Sequence, residues 1–281
     1  TTLTLSHNKN SVKALTGEAV QLYEARFGFN QNTHRIAVGE PLGQFYGYIT
    51  EGLYQVDDFN YDASTQTYTL KDGIPYHGDK GRIRPGMWKF KNLAGDDNVI
   101  DENDKTVIGN AQLKFYGGLN NSFTYKGFDL SIFLTFSYGN EVLNATKLVT
   151  SKVGSLNYNA LDVMNSSNRW MTINSDGQKV TDPGELAALN AGKTVAAYHD
   201  AQQGDNYIHS WAVEDASYLK LSNVTLGYTF PKNLIARVGL KNLRLYATGN
   251  NLLTWTKYSG FDPEVSTMKS GLTPGVDFGA Y

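Results

Sequence analysis

The sequence predicts an all-β, antiparallel fold, and three observations support this prediction. Two neighbouring segments, residues 113–125 and 128–138, alternate apolar and polar side chains with a period of two, as half-buried strands do. Aromatic residues make up 12% of the chain, with 28 Gly and only 7 Pro among 281 residues, a composition that favours strands joined by turns. No run of 18 apolar residues occurs, so the sequence contains no candidate for a transmembrane helix.

Residues 128–138 show the clearest alternation. One face of this segment carries only apolar and aromatic side chains, namely Phe128, Leu130, Ile132, Leu134, Phe136 and Tyr138. The opposite face carries Asp129, Ser131, Thr135 and Ser137, with Phe133 as the exception. Only Lys126 and Gly127 separate the segment from residues 113–125, so the two segments are predicted to form one hairpin.

The alternation has two interpretations. In a soluble β-sandwich the apolar face turns into the core, whereas in a transmembrane β-barrel it meets lipid. The second segment of the hairpin is longer than the roughly five to six residues of a typical soluble strand, and aromatic residues stand at both ends of its apolar face. Both details favour the barrel, although periodicity alone leaves both folds open. In a barrel, Leu130, Ile132 and Leu134 are expected to face lipid, and Ser131 and Thr135 to face the lumen.

Three further segments are predicted strands: residues 19–29, 217–230 and 242–253. The first of them alternates less cleanly than the other two. The second alternates well from Asn223 onward and ends at Pro231, which cannot donate to a sheet ladder. Leu219 and Leu221 lie on the opposite parity, so we expect either a β-bulge before Asn223 or an extension of the strand beyond the membrane.

The connections between these strands fall into two classes. Lys126-Gly127 and residues 231–241 are short, whereas residues 52–112 and 139–215 are long and show little strand signal. Long connections are uncommon in compact domains, but outer-membrane barrels have long extracellular loops and short periplasmic turns. The pattern therefore predicts that the two long connections lie at one end of the strands and the short ones at the other.

Several classes of function lack support in the sequence. The formal net charge is −2, from 25 Lys+Arg and 27 Asp+Glu, which gives no reason to expect a nucleic-acid partner. Cysteine is absent, so disulfides and thiolate metal sites are excluded. The five histidines show no metalloprotease spacing, and no Gly-x-Ser-x-Gly elbow occurs. Lys193 follows Gly192, but Ala187 stands where a phosphate-binding loop requires Gly. The chain is therefore predicted not to be an enzyme.

Six blocks, in this order along the chain, resemble the SusC/RagA family of TonB-dependent outer-membrane transporters. They are residues 39–48 (GEPLGQFYGY) with 51–55 (EGLYQ), residues 85–90 (PGMWKF) with the acidic stretch that ends at 108–110 (IGN), the hairpin at 113–138, residues 168–170 (NRW), residues 216–228 (ASYLKLSNVTLGY) and residues 248–252 (TGNNL). Each block is short, but six in register over residues 1–281 are highly specific.

The resemblance implies a fold and a place within it. The family forms a 22-stranded antiparallel transmembrane β-barrel of the bacterial outer membrane, in which residues 1–281 correspond to a C-terminal part. The N-terminal plug, the TonB box and the early strands are expected upstream of Thr1. A final strand is expected after Tyr281.

The resemblance also implies a function. The expected activity is TonB-dependent import of oligosaccharides or peptides, with energy from a TonB-ExbB-ExbD complex that acts on the missing N-terminal part. A SusD-like surface lipoprotein is the expected second partner, closing over the long loops, and outer-membrane lipid surrounds the barrel. The alternative from a different class is a surface or secreted β-sandwich that binds carbohydrate without transport.

An acidic stretch contains the candidate metal ligands. Asp96, Asp97, Asp101 and Asp104 resemble the carboxylates of a calcium-type loop, Asp-x-Asn-Gly-Asp-Gly-x-Ile-Asp-x-x-Asp, that is common in the family. Ca²⁺ requires six to eight oxygen ligands at alternating loop positions. The pattern here is degenerate, so a solvated acidic turn without a cation is the competing interpretation, and no cofactor is required.

Aromatic residues in the long connections are candidates for contact with sugars. They are Tyr54, Tyr61, Tyr68, Tyr76, Trp88, Tyr158, Trp170, Tyr198, Tyr207 and Trp211. For any one of them, packing within the loops or at the membrane interface is favoured over substrate contact. No substrate-binding residue is assigned from the sequence.

Overall fold

A computed structural model describes residues 1–24, 31–95, 97–151, 161–197, 207–265 and 271–279. The strands are β1 (Thr2–Ser6), β2 (Val20–Tyr23), β3 (His34–Ala37), β4 (Gln44–Gly47), β5 (Thr50–Leu53), β6 (Phe59–Asp62), β7 (Thr67–Leu70), β8 (Tyr76–His77), β9 (Trp88–Phe90), β10 (Val99–Ile100), β11 (Thr106–Asn110), β12 (Phe115–Tyr125), β13 (Phe128–Tyr138), β14 (Glu141–Asn144), β15 (Val213–Asp215), β16 (Tyr218–Thr229), β17 (Arg244–Thr256) and β18 (Val276–Asp277). The helices are α1 (Ala145–Thr150), α2 (Pro183–Leu189) and α3 (Lys232–Ile235). Within these ranges no helix has the length and apolarity to cross a membrane.

The longest strands form one antiparallel sheet, in the order β1-β12-β13-β16-β17. Strands β12 and β13 are the predicted hairpin, paired from Phe115↔Tyr138 to Tyr125↔Phe128. The turn between them places Lys126 at φ 46° and Gly127 at φ 87°. Positive φ at both central residues is the geometry of a type I′ turn, whose twist matches that of the flanking strands. The predicted hairpin is therefore confirmed.

The register of this sheet gives it one apolar and one polar face. Residues that are directly opposite in antiparallel strands share a face, so one continuous row contains Leu3, Leu119, Leu134, Leu221 and Leu253. The neighbouring row on the other face contains Thr2, Asn120, Phe133, Asn223 and Asn250. The alternation that the sequence predicts for one hairpin thus extends across five strands.

A β-bulge maintains these two faces. The register shifts between Leu221 and Asn223 against both neighbouring strands. The extra residue reverses the parity of β16, so Leu219 and Leu221 return to the apolar face that Val224 and Leu226 occupy farther along. Of the two alternatives expected upstream of Asn223, the structure shows the bulge.

The connections separate to the two ends of the sheet as predicted. The β12–β13 turn and residues 230–243, which contain α3, lie at one end, called here the turn end. The described parts of residues 7–114, 139–217 and 257–279 lie at the other end, and they are called here the loop-end assembly. The long connections contain several strands that the sequence analysis did not predict. These strands are two to five residues long, which is too short to show a period of two.

The buried core of the chain lies in the loop-end assembly. One cluster contains Phe45, Leu143, Ala145, Ile208 and Ala212, and a second packs Leu53, Val56, Val180 and Leu186 against Trp170. Two more surround Tyr54 and Phe90. By contrast, the apolar face of the long sheet stays open, with Leu3 65% and Leu253 54% exposed. In the described part of the chain, no second sheet covers that face, as a soluble β-sandwich would require.

Candidate functional site

The polar face of the long sheet is a hydrogen-bonded surface. Asn223 Nδ2 donates to Asn250 Oδ1 at 2.7 Å, and the Thr225 and Thr248 hydroxyls lie 3.0 Å apart on neighbouring strands. Thr135 bonds the bulge residue Ser222 at 2.6 Å. These side chains bond one another across the strands and stay partly or fully exposed to solvent. Such a face suits the wall of a water-filled lumen.

An ion pair crosses this face near the turn end. Arg244 of β17 donates to both carboxylate oxygens of Asp129 of β13, with Nη2–Oδ2 at 2.5 Å and Nε–Oδ1 at 3.1 Å. The strand between them, β16, carries Gly227 at this position. A Cβ atom there would lie 2.5 Å from Arg244 Nη2 and 2.6 Å from Asp129 Oδ1. The missing side chain of Gly227 therefore creates the space that the ion pair occupies.

Two more glycines lie beneath aromatic rings in the first half of β12. A Cβ atom on Gly118 would stand 2.9 Å from the ring of Phe133, and one on Gly117 would stand 2.9 Å from the ring of Phe136. The two rings lie on opposite faces of the sheet, since their residues are an odd number of positions apart in β13. Phe133, the exception to the alternation, is thus an aromatic side chain that covers a glycine on the polar face.

Residues 257–265, called here the inner strap, fold back over the polar face at the loop end. Glu264 of the strap accepts hydrogen bonds from the Tyr218 hydroxyl, at 2.6 Å, and from Lys220 Nζ. Lys220 is only 5% exposed and also faces Asp262, with Nζ–Oδ2 at 3.4 Å. A cavity of about 430 Å³ lies between the strap and the sheet and reaches Thr135. The strap therefore narrows the space over the polar face.

An ion pair between helix α1 and strand β15 holds the first half of the strap. Lys147 Nζ lies 2.9 Å from Glu214 Oε1 and 4.1 Å from the centre of the Trp211 ring. Ser259 donates to Glu214 through its backbone N–H and its hydroxyl, at 2.8 and 2.9 Å. Burial alone would raise the pKa of Glu214, but the bonds from Lys147 and Ser259 outweigh it and the pKa is lowered. The carboxylate thus stays charged and anchors the strap to the loops.

The predicted calcium ligands do not converge where the structure describes them. Asp104 is 1% exposed and accepts hydrogen bonds from the backbone N–H groups of Leu93, Ala94 and Asp101, at 2.6, 2.9 and 2.8 Å. Asp101 accepts from the N–H of Asn103 at 2.7 Å.

The other two candidates complete this account. Asp97 accepts from the N–H of Val99 at 3.1 Å, and Asp96 lies outside the described residues. Across the part of the chain that is described, no three His, Asp or Glu residues group as metal ligands. A calcium ion at this turn stays a prediction from sequence, and the observed role of Asp104 is to hold the turn together.

The candidate aromatic residues mostly pack within the loops. Tyr54 and Trp170 are buried, at 0% and 1% exposure. The rings of Trp88 and Trp211 lie 5.0 Å apart and belong to a cluster with His209. The remaining described candidates are Tyr61, Tyr68, Tyr76 and Tyr207, all partly buried, whereas Tyr158 and Tyr198 lie outside the described residues.

Sequence analysis missed Lys220, Gly227, Arg244 and the inner strap. Lys220 carried no local signal, because a charged residue between Leu219 and Leu221 fits the ordinary alternation of a strand with one polar face. Its partners Asp262 and Glu264 lie 42 and 44 positions farther along the chain. No local pattern predicts such pairing.

The chain is similar in sequence to several TonB-dependent receptors, although no family model matches it. Two receptors from Formosa agariphila are 32% and 30% identical over 100% and 99% of the chain. The TonB-dependent receptor SusC of Bacteroides thetaiotaomicron is 30% identical over 70% of it. The chain spans about a quarter of the Formosa receptors (25% and 26%) and 17% of SusC.

The fold is similar to that of solved transporter structures. The RagAB peptide importer in its closed-closed state superposes with a TM-score of 0.59 at 19% identity, covering 97% of this chain and 24% of that one. A second structure, of the RagAB peptide transporter, gives a TM-score of 0.56 at 20% identity, covering 95% and 23%. At this identity the likeness shows the fold, that of a TonB-dependent transporter barrel.

Proposed function

The chain belongs to the SusC/RagA family of TonB-dependent receptors, β-barrel proteins of the bacterial outer membrane, and on that premise we propose that it forms part of an importer of glycans or peptides. One observation carries the proposal: the five-stranded sheet has one apolar face and one hydrogen-bonded polar face, with the long connections gathered at one end. An apolar face suits lipid and a polar face suits a lumen. Import belongs to the whole protein, of which this chain spans a part.

The two faces and the two ends have different roles in this proposal. The row through Leu119, Leu134 and Leu221 faces lipid, and the row through Asn120, Asn223 and Asn250 faces the lumen. The turn end is periplasmic and the loop-end assembly is extracellular, where substrate arrives. Residues 1–281 are the C-terminal part of the barrel, so the plug and the segment that contacts TonB belong to the N-terminal part of the whole protein.

Two partners follow from the proposed import. A wide lumen that is closed by a plug needs an energy source for release, which a TonB-ExbB-ExbD complex supplies through the plug. Capture of substrate outside the cell needs a lid, and a SusD-like lipoprotein that closes over the loop-end assembly supplies it. The similarity of the chain to the receptor SusC and to the RagAB peptide transporter supports the SusD-like partner.

The test is uptake by intact cells. Deleting the gene of the full-length protein should abolish growth on at least one class of oligosaccharide or peptide as the sole nutrient. The wild-type gene should restore growth, and a version without its TonB-contacting segment should not. Unchanged growth of the deletion strain on every glycan and peptide tested would refute the proposed import.

A further inference from the structure

The inner strap is anchored on both sides of one residue, Phe261. Before it, Tyr258 is 6% exposed, packs against Val142 and Ala216, and donates a hydrogen bond to Asp277. Gly260 lies directly against the Tyr258 ring. Together with the bonds between Ser259 and Glu214, these contacts fix the first half of the strap.

The second half of the strap is held on the sheet. Pro263 is buried, and Glu264 is bound by Lys220 and by the Tyr218 hydroxyl. Asp262 turns the backbone, because its Oδ1 accepts the N–H of Glu264 at 2.9 Å. Phe261 therefore stands at the apex of a segment that has little freedom to move.

Phe261 is 89% exposed, the highest value among the large hydrophobic residues of the described chain. A single exposed apolar residue is common on protein surfaces. Here the ring is held outward by fixed neighbours, and it lies beside a carboxylate, since the Asp262 side chain is 58% exposed. The Asp262 Oδ2 atom is 3.4 Å from Lys220 Nζ, too long for a strong charge-assisted bond, so it keeps capacity to accept hydrogen bonds.

We propose that Phe261 and Asp262 form a subsite for one sugar ring of a glycan at the extracellular mouth of the lumen. The ring of Phe261 stacks on the apolar C–H face of the sugar, and Asp262 accepts hydrogen bonds from its hydroxyl groups. Lys220 and Glu264 position the strap without touching the ligand. This inference rests on the proposed import and narrows its substrate class to glycans.

The surroundings of the ring favour a sugar over a peptide. An apolar peptide side chain gains most from a pocket that encloses it, but a ring that is 89% exposed has almost no neighbours to form walls. The flat face of a sugar needs one open aromatic surface and nearby acceptors. Phe261 and Asp262 provide both, on consecutive residues of a rigid turn.

The first measurement tests whether the full-length protein leaves Phe261 open. Phe261→Cys is introduced into a cysteine-free version of the full-length protein and treated in intact cells with a membrane-impermeant maleimide. Labelling at a rate similar to that of an exposed control, Ile173→Cys, is expected. Protection without any added ligand would mean that the plug or other loops cover the ring, and this would overturn the subsite.

The second measurement tests binding by the purified full-length protein. The probes are cello-, xylo-, laminari- and malto-oligosaccharides, with short mixed peptides in parallel, and the readout is calorimetric affinity. For a glycan that the wild type binds, Phe261→Ala and Asp262→Asn should each weaken binding about tenfold. Phe261→Trp should restore it, and Ile173→Ala should have no effect.

The outcomes separate the subsite from the proposed import. Unchanged glycan affinity in Phe261→Ala, or binding of peptides alone by the wild type, overturns the subsite even if uptake in cells is normal. A wild type that binds no probe glycan overturns it as well. A refutation of the proposed import would instead come from unchanged growth of the deletion strain. That result does not depend on Phe261.

Discussion

At the residue scale, the ion pair on the polar face requires a glycine at position 227. Glycine in the interior of a strand normally lowers stability, so replacing it with alanine usually helps when space allows. At Gly227 the added Cβ would meet Arg244 and Asp129 at 2.5 and 2.6 Å. The two charged groups would have to separate, so replacing Gly227 with alanine should lower stability and not raise it.

Gly227→Ala is therefore predicted to destabilise the barrel by about 1 kcal/mol, the usual size for a single destabilising substitution, because the added Cβ forces Arg244 and Asp129 apart. The measurement is urea unfolding of the full-length protein in lipid, followed by tryptophan fluorescence. The matched control is Gly271→Ala, where a Cβ would meet nothing within 4 Å. A Gly227→Ala protein at least as stable as the control would argue against the steric account.

A second prediction at the residue scale concerns Asp104 and the loss of stability at acid pH. Burial on its own would raise the pKa of Asp104, but the N–H groups of Asp101, Ala94 and Leu93 together outweigh it and hold the pKa below its usual value. A carboxyl with a lowered folded-state pKa stabilises the fold fully above its unfolded pKa, about 3.9. That stability is lost as pH falls through the folded pKa.

The loop-end assembly should thus lose stability below about pH 4. Asp104→Asn should be less stable at neutral pH and show a flatter acid limb in fluorescence-monitored unfolding. Asp176→Asn, at an exposed turn position, should follow the wild-type profile. An Asp104→Asn profile that is parallel to the wild type from pH 7 to pH 3 would exclude this role of Asp104.

At the element scale, strand β13 allows the proposed lipid-facing side of the sheet to be tested. Ile132 pairs with Asn121 and Val224, and Ser131 with Ser122 and Thr225, so the two side chains lie on opposite faces. Arg at position 132 is predicted to destabilise the inserted barrel by about 2–4 kcal/mol if it lies near the membrane midplane. Arg at position 131 should be tolerated, because the polar face is hydrated.

The comparison needs only two variants of the full-length protein, Ile132→Arg and Ser131→Arg. Folding into liposomes can be followed by the mobility shift of the folded barrel on unboiled gels. Equal losses in both variants would show that the assignment of faces is wrong. The pair also separates lipid exposure from general intolerance of β13 to arginine, since both substitutions add the same side chain to adjacent positions.

At the scale of the whole molecule, the described parts of the long connections form a folded assembly at one end of the sheet. The segment 161–197 contributes Trp170, Val180 and Leu186 to a core with Leu53 and Val56. Shortening residues 151–205 would remove four of the six buried residues of that cluster while leaving β13 and β16 intact. The proposed lid should lose its contact surface, and the barrel should still insert.

We predict that the full-length protein with residues 151–205 replaced by a short Gly-Ser linker no longer co-purifies with its surface lipoprotein from mildly solubilised membranes. Its barrel should keep the gel mobility of the folded form. The milder control is a short insertion between Asp176 and Gly177, an exposed turn position that preserves the cluster. Retention of the lipoprotein by the shortened protein would place the lid contact elsewhere.

Local patterns in the sequence determine the hairpin, the two faces of the sheet and the bulge at Ser222. A strand places alternate side chains on opposite faces, and Lys126-Gly127 suits a type I′ turn, so these features depend on neighbouring residues only. Strand β1 was also readable from the alternation of Thr2, Leu3, Thr4 and Leu5, although the sequence analysis did not assign it.

Only the tertiary structure decided the loop-end assembly and the inner strap. His34 Nε2 donates to the carbonyl of Pro274 at 2.9 Å across 240 residues. Burial lowers the pKa of His34 to about 4, so the ring is neutral at pH 7. Strand β14 pairs with β18, which lies at the far end of the chain. Such contacts join residues that share no local period, because they form only when distant segments pack together. The sequence therefore determined the two faces of the sheet, whereas the packing of distant segments placed the inner strap, with its exposed Phe261, over the polar face.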